Sequence, residues 1–185
     1  AVTLATKDKR DFENISKLIP NKEFRIYYSN DLIGTQIGGA LKNIYAIAAG
    51  VAEGLNLGEN AKSALISRSF AEMTRYAKKF KADKNTLFGL SGLGDLILTC
   101  SSKNSRNTQF GIKLASSKYD NFLDLLKSQE VTEGYYTVKA VYNISQKKNI
   151  DMPIMESVYN ILYKQHDLKE ELSNLLSRPI TEEKI

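Results

Sequence analysis

A mainly α-helical fold, led by a short β-α-β segment at residues 1–30, is predicted by three observations. Apolar residues recur at helical spacing over most of the chain beyond Asn30. One run, IGGALKNIYAIAAGVAEGL at residues 37–55, is apolar on nearly every side, as a helix at the centre of a domain must be. Only two short stretches, both before Asn30, read as strands.

The elements follow in order. AVTLAT at residues 1–6 is rich in β-branched residues, and EFRIYYS at 23–29 alternates like a strand. Between them Phe12, Ile15, Leu18 and Ile19 have helical spacing. Two strands alone are marginal. Residues 1–30 are therefore expected to be the last piece of an α/β domain whose body lies upstream, and residues 31–185 a helical domain. Ser29, Asn30 and Asp31 offer N-caps for the apolar helix. Gly58 and Glu59 open a second helix, with Leu65, Ile66, Phe70, Met73 and Ala77 as its stripe. Shorter helices are expected around 105–117 and 121–127. Gly134 precedes another that reaches Lys148, Pro153 suits the first turn of the next, and DLKEELSNLLS closes the chain before Pro179.

Composition narrows the function classes. The chain has 185 residues, 42% hydrophobic and 25% charged, as in a soluble globular protein. A single cysteine, Cys100, allows no intrachain disulfide and suits a reducing cytoplasm. A single histidine, His166, gives no reason to expect a metal site. The net charge of +5 comes from dispersed lysines, which read as solvated helix faces. No nucleic-acid module is recognisable. Small anionic substrates such as phosphates are compatible. The N-terminal stretch lacks a signal-peptide pattern, and Lys42 and Asn43 interrupt the 37–55 run, so no membrane span is expected.

Chemistry is sought where residues sit awkwardly. Lys42 falls within the apolar helix on a stripe of small residues: Thr35, Gly38, Gly39, Ala46 and Ala49. It is either a lysine reaching out from a helix edge or paired for structure, or an acid/base group. The glycines of GLSGLGDLILTCSSKNSRN (89–107) are not a dinucleotide loop, because no strand leads into them. They read as a tight turn at Gly92 and Gly94 that places Asp95 at a helix start. There the carboxylate either caps the helix, stabilised by its dipole, or faces Lys42. Asn104 or Ser105 is the next N-cap, with Arg106 and Asn107 in the first turn. Arginine opposes the helix dipole there, so Arg106 is either simply exposed or part of a phosphate clamp. Thr132 and Glu133 read as capping residues, Cys100 as a small buried apolar group. Arg68, Glu72 and Arg75 share a helix face at salt-bridge spacing.

Two long motifs, GGALKNIYAIAAGVAEGLNLGENAKSALISRSFAEMTRYA and GLSGLGDLILTCSSKNSRN, together with Glu133–Gly134, resemble the bacterial NAD(P)-dependent glycerol-3-phosphate dehydrogenases. The likeness runs from AVTLAT to LLSRP. It implies an all-helical C-terminal dehydrogenase domain of the 6-phosphogluconate dehydrogenase C-terminal-like type. It also implies interconversion of dihydroxyacetone phosphate and sn-glycerol 3-phosphate with NAD or NADP, for phospholipid synthesis. The glycine fingerprint for the dinucleotide is missing, so this chain alone is expected to be inactive. By resemblance, Lys42 is the catalytic lysine and contacts substrate. Asp95 orients it and contacts a substrate hydroxyl, and Ser105, Arg106 and Asn107 hold the substrate phosphate. Arg106, Val131 and Glu133 line the cofactor, and Thr99 and Asn43 are further contacts. Helical domains of this type often pair, so a homodimer is an expectation. Two rivals are a related two-domain dehydrogenase for another small acid and a non-catalytic helical interaction module.

Overall fold

A computed structural model of the chain describes residues 1–19, 23–116 and 132–179. The expected helix at 121–127 and Val131 lie outside the described residues.

Strands β1 (Val2–Ala5) and β2 (Ile26–Ser29) pair in parallel, with Val2 opposite Ile26 and Ala5 opposite Ser29. Helix α1 (Lys9–Lys17) crosses between them and is shorter than the spacing suggested. Asp8 explains its start, because the carboxylate accepts the Arg10 N–H at 2.9 Å. Phe12 packs on Tyr28, ring centroids 5.2 Å apart, which seats α1 on the sheet.

The apolar helix α2 (Leu32–Gly54) starts earlier than residue 37. Asp31 is its N-cap and accepts the Gly34 N–H at 2.8 Å through Oδ1. Its Oδ2 accepts the Asp83 N–H at 2.8 Å, so one carboxylate ties two helix starts together. Leu41, Ile44, Tyr45, Ala46, Ile47 and Ala49 are buried, and α2 is the axis on which the other helices pack. Helix α3 (Glu59–Lys79) begins after Gly58, as expected.

Between α3 and the next long helix the sequence reading missed α4 (Lys84–Phe88) altogether. The tight turn expected at Gly92 and Gly94 is a π-helical turn, Leu90–Gly94, running directly into α5 (Asp95–Ser101). Asp95 is therefore inside a continuous helical stretch, not at its free N-terminal end. Cys100, on α5, is fully buried, and burial pushes its thiol up to about 12.

Helix α6 (Arg106–Ala115) crosses α2 glycine on glycine. A Cβ on Gly111 would lie 2.1 Å from the Ile47 carbonyl oxygen, and one on Gly50 2.0 Å from the Thr108 carbonyl oxygen. Only hydrogen at both positions lets the backbones approach this closely. Helix α7 (Glu133–Lys148) ends at Asn149 in the left-handed region, φ 50°. Helices α8 (Pro153–Lys164) and α9 (Leu168–Leu176) close the described chain.

Salt-bridge spacing with Arg68 and Arg75 does not keep Glu72 at the helix surface. Glu72 turns inward, 1% exposed, and accepts the N–H groups of Ile154 at 2.6 Å and Met155 at 3.2 Å. It thereby satisfies the free N–H groups at the start of α8 from another helix. Tyr45 donates to it at 3.4 Å, while Arg75 donates its Nε–H to the Asp151 carbonyl at 2.9 Å. Burial raises Glu72 from its ordinary 4.5 to about 7, with the two backbone N–H groups opposing. The folded state therefore holds a proton that the unfolded state releases between those values. Stability falls as pH rises from about 4.5 through about 7, a contribution on the order of 3 kcal/mol. Urea unfolding at pH 5 and pH 8 should show Glu72→Gln losing most of this pH-dependent drop. An unchanged drop in the variant would assign it elsewhere.

Candidate functional site

Four helices bring their polar residues to one place. Lys42 lies midway along α2, flanked by glycines with different tasks. Gly38 is pressed against the π-helical turn, whereas Gly39 has nothing within 4 Å of where its Cβ would be, leaving open space beside the lysine. The Lys42 ammonium donates to Asp95 Oδ2 at 2.6 Å, across 53 residues of sequence. The second Asp95 oxygen accepts the Thr99 hydroxyl at 3.2 Å, one helical turn further along α5. Both side chains of the pair are partly exposed, 23% for Lys42 and 30% for Asp95. Of the two readings open for Asp95, the structure selects the one that faces Lys42.

The start of α6 forms the second half. Ser105, not Asn104, is the N-cap, and its hydroxyl accepts the Thr108 N–H at 3.3 Å. Arg106, the first residue of the helix, extends into solvent and pairs with Glu133 in the first turn of α7. That carboxylate offsets the mismatch between a guanidinium and the positive end of α6. Asn107 is only 5% exposed and uses both ends of its amide. Its Nδ2 donates to Asn43 Oδ1 at 3.1 Å, and its Oδ1 accepts the Gly134 N–H at 3.0 Å. The capping expected of Thr132 thus comes from Asn107. The Thr132 hydroxyl is buried without a hydrogen-bond partner among the described residues. Gly134 is needed for this approach, since a Cβ there would lie 2.7 Å from both Asn107 Oδ1 and the Asn43 carbonyl oxygen.

Direct hydrogen bonds therefore form two sets, Lys42–Asp95–Thr99 and Asn43–Asn107–Gly134, with Ser105, Arg106 and Glu133 alongside. The sequence reading missed Thr108. Its hydroxyl donates to the Thr99 carbonyl at 2.8 Å and ties the end of α5 to the start of α6. A threonine in a helix's first turn gives no signal of such a long-range bond. Chemically, the site combines a proton-bearing amine held by a carboxylate with a guanidinium at a helix start. The first suits acid/base work, the second an anion. A dinucleotide's main cradle is not built by the described residues, because the β1–α1 connection, Thr6–Asp8, has no glycine. Arg106 and Glu133 form an exposed ion pair at the edge of the site.

Residues 31–173 match the family model described as NAD-dependent glycerol-3-phosphate dehydrogenase C-terminus, a span that contains all of these side chains. The chain belongs to this glycerol-3-phosphate dehydrogenase family. Similar curated glycerol-3-phosphate dehydrogenases (NAD(P)+) include that of Solidesulfovibrio magneticus, 46% identical over 99% of this chain and 55% of the relative. That of Limosilactobacillus reuteri is 44% identical over 99% of this chain and 54% of the relative. Among solved structures, the glycerol-3-phosphate dehydrogenase of Coxiella burnetii is 36% identical with a TM-score of 0.89, covering 96% of this chain and 55% of that one. The Plasmodium falciparum enzyme is 28% identical with a TM-score of 0.83, covering 97% and 52%. The chain spans about half the length of the curated glycerol-3-phosphate dehydrogenases it matches. The family and the helical domain expected from the sequence are both borne out. No helix among the described residues is long and apolar enough to cross a membrane.

Proposed function

We propose that this chain supplies the substrate side of an oxidoreductase interconverting dihydroxyacetone phosphate and sn-glycerol 3-phosphate with NAD or NADP, in glycerophospholipid supply. The observation that carries the reading is the 2.6 Å Lys42–Asp95 pair beside the Arg106 helix start. Residues 31–185 form the substrate domain, and residues 1–30 belong with a nucleotide-binding domain. A homodimer and a cytoplasmic location are part of the proposal.

The nicotinamide cofactor supplies hydride when bound. Lys42 gives its proton to the C2 oxygen of the ketone as that oxygen takes on charge, and takes a proton from the C2 hydroxyl in the reverse direction. Asp95 keeps the ammonium aimed and contacts a substrate hydroxyl, with Thr99 fixing the carboxylate. Arg106 binds the phosphate through charge-assisted hydrogen bonds, with the Ser105 and Asn107 positions completing that end. Thr99 and Asn43 add further contacts. Val131, Glu133 and Arg106 border the nucleotide.

The test uses the full reading frame that encodes this chain. Absorbance of NADH and of NADPH should fall on addition of dihydroxyacetone phosphate, and residues 1–185 alone should give no turnover. Activity on a different phosphorylated or carboxylated ketone, with none on dihydroxyacetone phosphate, would replace the substrate but keep the reaction class.

A further inference from the structure

We infer that Gly38 is a positioning residue for the Lys42–Asp95 pair, acting through the π-helical turn Leu90–Gly94. The inference rests on the proton-transfer reading of that pair given above. The Asp95 N–H donates to the Leu90 carbonyl, five residues back, and the Gly94 N–H to the Gly89 carbonyl at 3.1 Å, also five back. A π-type turn takes up about one residue more than an α turn. The residues after it are rotated by about 100° from where an unbroken α-helix would put them. Asp95 is the first residue after the turn, so the turn decides which way its carboxylate points.

The turn is held between two glycine contacts. On one side it rests on α2: a Cβ on Gly38 would lie 2.0 Å from the Ser91 carbonyl oxygen and 3.3 Å from the Gly92 Cα. On the other it rests on α4: a Cβ on Gly92 would lie 2.1 Å from the Leu87 carbonyl oxygen. Backbone oxygens cannot swing aside as side-chain ends do. A methyl group at either place moves the turn, and Asp95 with it. Gly38 is also four residues before Lys42, on the same face of α2. One helical turn of α2 therefore sets the lysine and the seat of its partner together. The separation of the two charged groups is fixed by backbone contact, not by the side chains alone.

A double-mutant cycle in the full-reading-frame protein tests this, with kcat and KM for dihydroxyacetone phosphate as readouts. Gly38→Ala should lower kcat by about tenfold or more and leave KM within about threefold. In the Asp95→Ala background the same substitution should have almost no further effect on kcat, because the group it displaces is gone. An equal fractional loss in both backgrounds, or no loss in either, overturns the inference and leaves Gly38 as packing alone. Should Asp95→Ala by itself leave kcat unchanged, the catalytic reading of the pair fails first and the inference falls with it. If Gly38→Ala does not fold, Gly92→Ala presses on the other seat of the turn, its Cβ 2.1 Å from the Leu87 carbonyl oxygen, and goes through the same cycle: loss only where Asp95 is present supports the inference, and equal or no loss in both backgrounds overturns it.

Discussion

Replacing Lys42 by alanine should lower kcat by about 10²–10⁴-fold, the usual worth of a positioned acid/base group, with a much smaller change in KM. The expectation follows from the place of the lysine. It sits on the most buried helix of the domain, yet its ammonium reaches an opening beside Gly39 and is held at 2.6 Å by Asp95. On the proposed reading, substrate contacts other than the lysine stay in place in the variant, so binding should be largely kept while the proton loses its carrier. Steady-state kinetics of the full-reading-frame protein checks this. A Lys42→Ala enzyme with wild-type kcat would mean that another group moves the proton. Lys42→Arg separates charge from proton transfer: it keeps a cation beside Asp95 but holds its proton too tightly to give it up, so kcat should stay low.

Gly111→Val should be the most damaging single change away from the reacting groups. The valine Cβ would sit 2.1 Å from the Ile47 carbonyl oxygen and 2.9 Å from the Gly50 Cα, so α6 must move off α2. Overpacking of this kind costs about 1–3 kcal/mol, or roughly 2–12 °C in Tm for a domain this size. Helix α6 and its Ser105 cap also carry Arg106 and Asn107, proposed above to hold the substrate phosphate, so KM should rise in step. Thermal unfolding and KM measured on the same preparation check both halves. A variant with unaltered Tm would show that the crossing has slack the backbone distances do not suggest.

What the sequence made legible, and what it did not, divides along physical lines. The course of α2, its Asp31 cap and the opening of α3 at Gly58 follow from local pattern and capping chemistry, which is written in adjacent residues. Lys42 stands out because a charge in an apolar helix needs a reason. Facing by Asp95 is one of two readings, and no local rule can choose between them. The choice depends on a π-helical turn whose geometry is imposed by α2 and α4. Glu72 escapes the sequence for a related cause. Spacing of three and four residues predicts neighbours on one helix surface, but not that the surface will be covered by the start of α8. Asn107 illustrates the same limit. Its amide bridges Asn43 and Gly134, which lie 64 residues before it and 27 after, respectively. The family motif singles out the residue, while the bridge comes only from the fold.

Cys100 gives the domain a built-in reporter. It is the chain's single thiol, fully enclosed on α5 next to Thr99, with burial holding it in the unreactive protonated form. A thiol-directed label can reach it only when the packing around α5 opens. In this chain the labelling rate therefore counts openings of the wall that carries Asp95, free of signal from any other sulfhydryl.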